Sequence, residues 1–303
     1  MASTIVSQEI WESSLAQRLD KPQNWKEVTD VIYTDKQTMV LPYISAANEP
    51  AVQTAFMANA AARNTLSNVI APGVVTMATE TLQIVSMEYV SEYVDYADQV
   101  QSNYTKDAQI GNLLGKKIGE RLEAIVLAEA ANRTNFGDTG GGVLGLASTQ
   151  ITIGPNNVDD YWRGIIEQIY TANGFNLYRE NGAFTVWRPA DWTHVTAYMQ
   201  ANGFSVADAA LKNGATIGID YAGMYHYVST GHTANHLFSG VRKITKLGLL
   251  TGGAMPFGSV RKVDDPASST AGHLSGSNFY SRLDYGFKTQ TNVAGLVFDG
   301  NVA

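Results

Sequence analysis

Two histidines four residues apart, His232 and His236, are the sequence's nearest approach to a metal site. On a helix that spacing would put both rings on one face, with His226 close enough along the chain to serve as a third ligand. The zinc-hydrolase pattern requires Glu directly after the first His as general base. Thr233 stands there, so ordinary polar histidines are the better reading. Gly140-Gly-Gly142-Val-Leu-Gly145 matches the letters of a G-x-G-x-x-G phosphate loop. Such a loop works between a strand and the N-terminus of a helix. Here a helix precedes and a strand is expected to follow, so a plain Gly-rich loop is expected. Gly111-Asn-Leu-Leu-Gly115-Lys116-Lys117 falls short of P-loop spacing and has no Ser or Thr after the Lys to hold magnesium. No G-x-S-x-G elbow occurs, and the chain has no Cys, which excludes thiolate nucleophiles, thiolate zinc sites and disulfides. Asp159-Asp160 and Asp264-Asp265 sit beside turns, where Asp serves as a cap or turn former. No catalytic, cofactor-binding or metal-binding residue is assigned, and neither an enzymatic activity nor a cofactor is expected.

The bulk composition points elsewhere. Of 303 residues, 16% are charged, against a usual share of about 25%. The chain also carries 15 Tyr and 5 Trp. Charge-poor, aromatic-rich surface is what interface cores are made of, so a subunit that hides surface in partners is expected. The net charge of −7 argues against a protein that grips nucleic acid through its phosphates. The first residues have no basic start followed by an apolar run, so no signal peptide is expected, and no apolar segment is long enough to span a bilayer.

The elements that would position any site read as follows. Residues 1–28 form an arm: Ile10, Trp11, Leu15 and Leu19 have helical spacing, and a short helix with Trp11 and Trp25 nearby needs a host surface. Residues 29–81 read as an extended excursion, with a strand over Val28–Tyr43, an Ala/Asn-rich stretch from Ala58 and a turn at Pro72-Gly73. Leu82 to Tyr96 reads as strand with both faces partly apolar, as if covered on both sides. The strongest helix spans about 105–132, where Ile110, Leu114, Ile118, Leu122, Ile125 and Val126 form one stripe. Thr105 is its expected cap, with Asp107 in the first turn. Lys116, Lys117, Glu120 and Glu123 are expected on the opposite, solvated side. Gly111, Gly115 and Gly119 recur every four residues beside the stripe, so a sheet or crossing helix is expected to pass close there. Residues 134–150 read as a Gly-rich loop. Residues 151–261 alternate helix and strand: a helix over Val158–Ala172, a strand Phe184–Pro189, a helix Asp191–Met199 and paired strands within Ile217–Ser229. After a Ser/Gly/Pro linker over Asp264–Gly276, strands 279–289 and 293–298 close the chain.

Several segments carry a resemblance. Tyr280-Ser-Arg282-Leu-Asp284-Tyr285-Gly286-Phe-Lys288 runs into Val293-Ala-Gly295-Leu296-Val297-Phe298. Leu211-Lys-Asn213-Gly214-Ala-Thr-Ile217-Gly218-Ile219 leads into Tyr225-His-Tyr227-Val228-Ser229. Phe184-Thr-Val186-Trp187-Arg188-Pro189-Ala-Asp191-Trp192 is similar to a strand entering an N-P-x-x-W-type turn, with Arg188 in place of Asn. In this order they resemble the major capsid proteins of tailed bacteriophages, which share the HK97 fold. The resemblance implies an α+β fold with an N-arm (1–28), an E-loop (29–81), a P-domain (82–150) with its spine helix at 105–132, an A-domain (151–261), and a linker with returning P-domain strands (262–303). It implies pentamers and hexamers closing into an icosahedral virion shell around double-stranded DNA, assembled in the host cytoplasm. A scaffolding protein, a portal and a decoration protein are the implied partners; no membrane is. Under it, the basic sets Arg242, Lys243, Lys246 and Lys116, Lys117, Arg121 face either enclosed DNA or solvent. Three other readings stay open: an encapsulin-like nanocompartment shell, another virion structural protein such as a tail component, and a soluble α/β nucleotide-binding enzyme using the Gly140–Gly145 loop.

Overall fold

The structure, a computed structural model of the chain, describes residues 23–44, 77–96, 106–129, 131–202, 219–233, 235–252, 257–264, 266–268, 272–273 and 275–303. The helix read around Ile10–Leu19, the Ala58 stretch, the turn at Pro72-Gly73, the Thr105 cap and the 211–218 segment lie outside those residues.

In chain order, α1 (Trp25–Val28) leads into β1 (Asp30–Thr34) and β2 (Thr38–Tyr43), then β3 (Ala78–Gln83), β4 (Ser86–Asp95) and α2 (Lys106–Ala128). The expected strand from Val28 is thus two strands broken by a bend. Next come β5 (Thr134–Asp138) and β6 (Leu144–Gly145), so the stretch read as loop holds a short hairpin. Then follow α3 (Val158–Thr171), α4 (Phe175–Asn181), β7 (Ala183–Trp187), α5 (Pro189–Ala201), β8 (Ile219–Tyr221) and β9 (Met224–Val228). The chain continues through β10 (His236–Val241), β11 (Lys246–Leu250) and β12 (Val260–Asp264). A two-residue ladder, β13 (Ala267–Ser268) with β14 (Gly272–His273), occupies part of the expected linker. The chain closes with β15 (Gly276–Lys288), a 3-10 helix (Thr291–Leu296) and β16 (Val297–Asn301).

Two sheets organise the body. In the first, β15 pairs with β4 along one edge, from Gly276↔Asp95 to Tyr285↔Ser86. Its other edge is shared by β12, at Ser277–Ser281, and β11, at Tyr285–Lys288, with β1 parallel beyond β11. The second sheet has the order β6-β5-β16-β10-β7-β9-β8. The two closing strands, expected to return together, therefore part: β15 centres the first sheet and β16 lies between β5 and β10 in the second. The expected second block is also split, because β11 joins β1 and β15 while β7, β9 and β10 stay together. A separate antiparallel ribbon, β2 with β3, stands beside the first sheet.

The helix read from the apolar stripe is there: α2 is 23 residues long, about 35 Å at 1.5 Å per residue. Leu114, Ile118, Leu122, Ile125 and Val126 are buried. It packs on β4, β15 and β12 and also touches β10, so its stripe joins the two sheets into one core. Helices α3 and α5 cover the second sheet, where β7 is buried along its whole length.

Two expectations about α2 are corrected. Glu123 is not on a solvated face; it is 2% exposed. Stepping by four from Gly111 through Gly115 and Gly119 reaches Glu123, so the glycines and this carboxylate share one face. Among the described residues, what meets that face is the start of the short helix α1, at Glu123, and not a sheet or a long crossing helix. Gln23 packs over Gly119, while a Cβ at Gly111 or Gly115 would meet nothing within 4 Å. A third correction concerns β4. Met87, Tyr89 and Tyr93, on one side of it, are exposed, so the strand is covered on one face only.

Glycine is obligatory elsewhere. At Gly286 an added Cβ would lie 2.0 Å from the Gln83 carbonyl oxygen, because the ribbon crosses β15 at that point. Gly286→Ala is therefore expected to destabilise the subunit by about 3 kcal/mol, the scale of core overpacking. Gly115→Ala, in open space on a helix, is expected to stabilise it by about 1 kcal/mol. Denaturant unfolding of the two variants beside the parent chain checks both signs.

Candidate functional site

The residues singled out for chemistry are dispersed by the fold. His226 is wholly buried on β9, stacked on Trp187 with ring centroids 6.1 Å apart and edge-on to Trp162 at 5.4 Å. Its Nδ1 accepts a hydrogen bond from Trp187 Nε1 at 3.0 Å. His236 begins a strand and not a helix turn; its Nδ1 meets the Asp299 carboxylate at 2.9 Å. His232 lies in the loop before it, with neither ring nitrogen hydrogen-bonded. Burial, then the nearby Arg188 and Arg133 charges, holds its pKa down at about 4, so it is neutral at neutral pH. The shared helix face expected for His232 and His236 does not exist. Among the described residues no group of three or more His, Asp or Glu side chains could hold a metal ion.

The glycine motif is a hairpin tip. Gly140, Gly141 and Gly142 have positive φ values of 99°, 67° and 80°, and the Asp138 carboxylate accepts the Gly140 N–H at 2.8 Å. Strands flank it on both sides, so it lacks the helix N-terminus that a phosphate loop needs. Asp159 and Asp160 lie in the first turn of α3, behind the N-cap residue Asn157, where the helix dipole favours an anion. Asp159 also takes an ion pair from Arg163 at 3.1 Å and a hydrogen bond from the Tyr198 hydroxyl at 3.2 Å.

Several basic residues read as candidate open patches are structural ties. Arg242 donates to the Asn181 carbonyl at 2.7 Å and lies over the Tyr225 ring at 3.9 Å. Lys243 donates to the Lys26 carbonyl, and Lys246 pairs with Asp30 at 2.8 Å. Arg121 is bidentate to Glu88, at 2.5 and 2.7 Å. Arg133, which sequence reading passed over, is the deepest of them. Its guanidinium donates to the Val126 and Leu127 carbonyls that end α2, and stacks 3.5 Å from the Phe238 ring centroid. It thereby caps the negative end of the helix dipole, while burial draws its pKa down to about 9.

What the fold does assemble is a set of attachment points. Glu123 receives the backbone N–H groups of Asn24 and Trp25, each at 2.8 Å, and the Asn24 side-chain amide at 3.3 Å. The same amide donates to the Val228 carbonyl at 3.0 Å. The carboxylate thus supplies acceptors for orphan N–H groups at the start of α1, as a capping residue would, but from a different helix. Trp25, 2% exposed, fills the core beside it. The arm read as residues 1–28 accordingly has its last residues inside this subunit's own core. Glu123 could have been found by extending the glycine spacing by one more step; its partners, 98 and 99 residues away in sequence, could not. Beside the helix, a groove of about 680 Å³ runs between Arg121, Ile125 and Glu129 on one side and Val85, Ser86 and Tyr285 on the other. On the open face of the first sheet, Met87, Tyr89, Arg261, Tyr280 and Arg282 line a second recess of about 470 Å³. Neither recess brings together acid, base and nucleophile.

Burial raises the Glu123 pKa, against the hydrogen bonds from Ser229, Trp25 and Asn24 that favour the anion. A carboxyl raised on folding adds most stability at low pH and loses it as pH climbs through the folded pKa. Glu123→Gln should therefore narrow its stability deficit against the parent chain as pH rises above the ordinary carboxylate range. Glu123→Ala, which leaves buried N–H groups without an acceptor, should cost about 3 kcal/mol. Chemical denaturation across pH 4–8 (roughly the window in which a raised carboxyl titrates) reads both.

No protein-family model and no curated protein matches the sequence. Solved structures do. The chain is similar to the capsid structure of Cyanophage P-SCSP1u, with 10% identity, a TM-score of 0.59, and coverage of 100% of this chain and 92% of that one. The mature capsid of bacteriophage PhiM1 gives 11% identity and a TM-score of 0.57 over 100% and 91% of the two chains. A virus-like particle from Pyrococcus furiosus gives 10% identity and a TM-score of 0.55 over 97% of each. The mixed α+β architecture described above is thus, over the whole chain, the fold found in phage capsid structures.

Proposed function

We propose that this chain is the major capsid protein of a tailed double-stranded DNA phage, built on the HK97 fold. The observation that carries the reading is likeness over the full length: the cyanophage capsid chain and this one cover 92% and 100% of each other. A shared isolated motif could be borrowed; a likeness that runs across about 300 residues is one of whole fold. The chemistry fits the same reading. A buried, hydrogen-bonded His226, a hairpin in place of a phosphate loop and cations spent on internal ties fit a building block.

In this reading α2 is the spine helix, the β2–β3 ribbon is the base of the E-loop, and the first sheet belongs to the P-domain. The second sheet with α3, α4 and α5 is the core of the A-domain. Copies associate into pentamers and hexamers, and repeated symmetric contacts close an icosahedral shell around DNA in the host cytoplasm. A scaffolding protein, a portal and a decoration protein are its expected partners. The exposed face of β4 and the charge-poor composition are what such packing calls for. A second reading, an encapsulin-like compartment shell, is favoured by the likeness to the Pyrococcus furiosus virus-like particle.

Negative-stain microscopy of the purified full-length chain should show closed icosahedral shells or five- and six-membered rings. A lone, evenly dispersed monomer at all concentrations would end both shell readings. Packaged DNA in particles from infected cells separates the phage reading from a compartment filled with protein cargo. Removal of residues 1–22, which spares Asn24 and Trp25, should leave a folded subunit that fails to form stable shells. Normal particles from that truncation would remove the arm from the assembly scheme.

A further inference from the structure

The β2–β3 ribbon meets the body through two kinds of contact. The lower one is apolar: Leu41, Leu82 and Ile84 are buried, and Leu82 and Ile84 sit over Gly248, where a Cβ would come within about 3 Å of them. Apolar contact has little directional preference, so by itself it would let the ribbon tilt. The upper one is polar and converges on a single side chain. Glu80 pairs with Lys288 Nζ at 2.7 Å and accepts the Thr291 backbone N–H at 3.0 Å. The Thr291 and Tyr43 side chains lie beside it and favour its ionised form. Lys288 ends β15, Thr291 begins the 3-10 helix, and Tyr43 ends β2. One carboxylate therefore ties β3 of the ribbon to two points of the body, the end of β15 and the start of the 3-10 helix. Next to it, Gln290 Nε2 donates to the Leu41 and Pro42 carbonyls, both at 3.4 Å. Charge-assisted bonds are short and directional, which is what fixing an angle requires. The Lys288 hydrogen bond leads the causes that hold the Glu80 pKa near 2, so the carboxylate stays ionised at any pH the protein meets in a cell.

The register of the ribbon ends at Tyr43↔Ala78. The residues between, doubled back on themselves, reach at most about 55 Å, so a tilt of about 10° at the base displaces the tip by about 10 Å. We propose that Glu80 is a latch that sets the angle of the β2–β3 ribbon, and through it where the chain beyond meets a neighbouring copy. The inference rests on the shell-forming reading, to which it adds a named determinant of shell geometry.

The test compares the full-length parent chain with Glu80→Gln and Lys288→Gln. Each is read by thermal melting, by the rate of limited proteolysis between residues 43 and 78 in unassembled protein, and by particle diameter in negative stain. Glu80→Gln should melt within about 5 °C of the parent, because the apolar foot remains. Its ribbon should be cut about tenfold faster, the scale of losing a charge-assisted tie. Its particles should lose the parent's uniform diameter, giving mixed sizes or unclosed sheets. Lys288→Gln should shift cleavage and diameter the same way by less, since the Thr291 N–H remains; it also serves as the reporter if Glu80→Gln does not fold. Unchanged cleavage overturns the latch. Faster cleavage with particles of unchanged diameter overturns its role in setting the angle. A parent chain that forms no particles overturns the shell reading, while the cleavage comparison still decides the latch.

Discussion

Strand β15 is the constraint on which the rest of the molecule turns. Its backbone groups are satisfied by β4 on one edge and by both β11 and β12 on the other, so it can neither slip nor gain another strand. A one-residue slip would carry Phe279 and Leu283 from the core to the open face. Because β11 pairs in parallel with β1, the register of β15 also places the start of the described chain. The approach of Gln83 to Gly286 then fixes where the ribbon crosses. Three segments far apart in sequence are thus held in one frame by a single strand near the end of the chain.

Local order was legible and long-range order was not. The α2 stripe, the α3 helix, the β7 strand and the α5 helix with Pro at its start could each be read within a few residues, because their signals lie within a turn or a strand length. Sheet membership could not. Nothing near Lys246 says that β11 pairs with Asp30–Thr34, more than two hundred residues earlier. Nothing near Val297 says that β16 leaves its sequence neighbour β15 for β10. The misreadings of Glu123 and β4 share a cause. Alternation and helical period show which residues are able to face a core, but the covering surface comes from elsewhere in the chain, or lies outside this chain. The resemblance to capsid proteins pointed to the whole-chain fold that periodicity could not.

The ionic ties divide by what they hold. Arg133 and Glu123 act on α2 itself: one closes its C-terminal carbonyls and the other uses its flank to cap the incoming chain. Arg121–Glu88 and Lys246–Asp30 attach strands of the first sheet to a neighbouring helix or strand. Glu80–Lys288 attaches the ribbon. The Glu123, Lys246–Asp30 and Glu80–Lys288 ties join elements far apart in sequence, whereas Arg133 and Arg121 tie α2 to its chain neighbours; four of the five spend a cation. A chain this poor in charge that uses so many cations internally leaves fewer on its outer faces. The open face of β4 shows the result, with Met87 and Tyr89 more than half exposed.

That surface sets a physical requirement on solution behaviour. An exposed apolar strand face beside an edge strand invites association, and natural monomers blunt such features with charge, Pro or a covering helix. Here α2 covers the opposite face of the same strands, and the recess on the open face has Arg261, Arg282, Ser91, Asn278 and the hydroxyls of Tyr89 and Tyr280 as its polar content. Asp284 pairs with Arg282 at 2.8 Å, which leaves Arg261 as the main cation of the recess. One cation among Met and Tyr side chains repels a second copy weakly and welcomes a mixed apolar and acidic partner. The protein carries a net charge of −7, so its own copies repel one another at long range. Long-range repulsion with a local attractive patch favours few, oriented contacts over general aggregation, which is the condition an ordered array of identical subunits must satisfy.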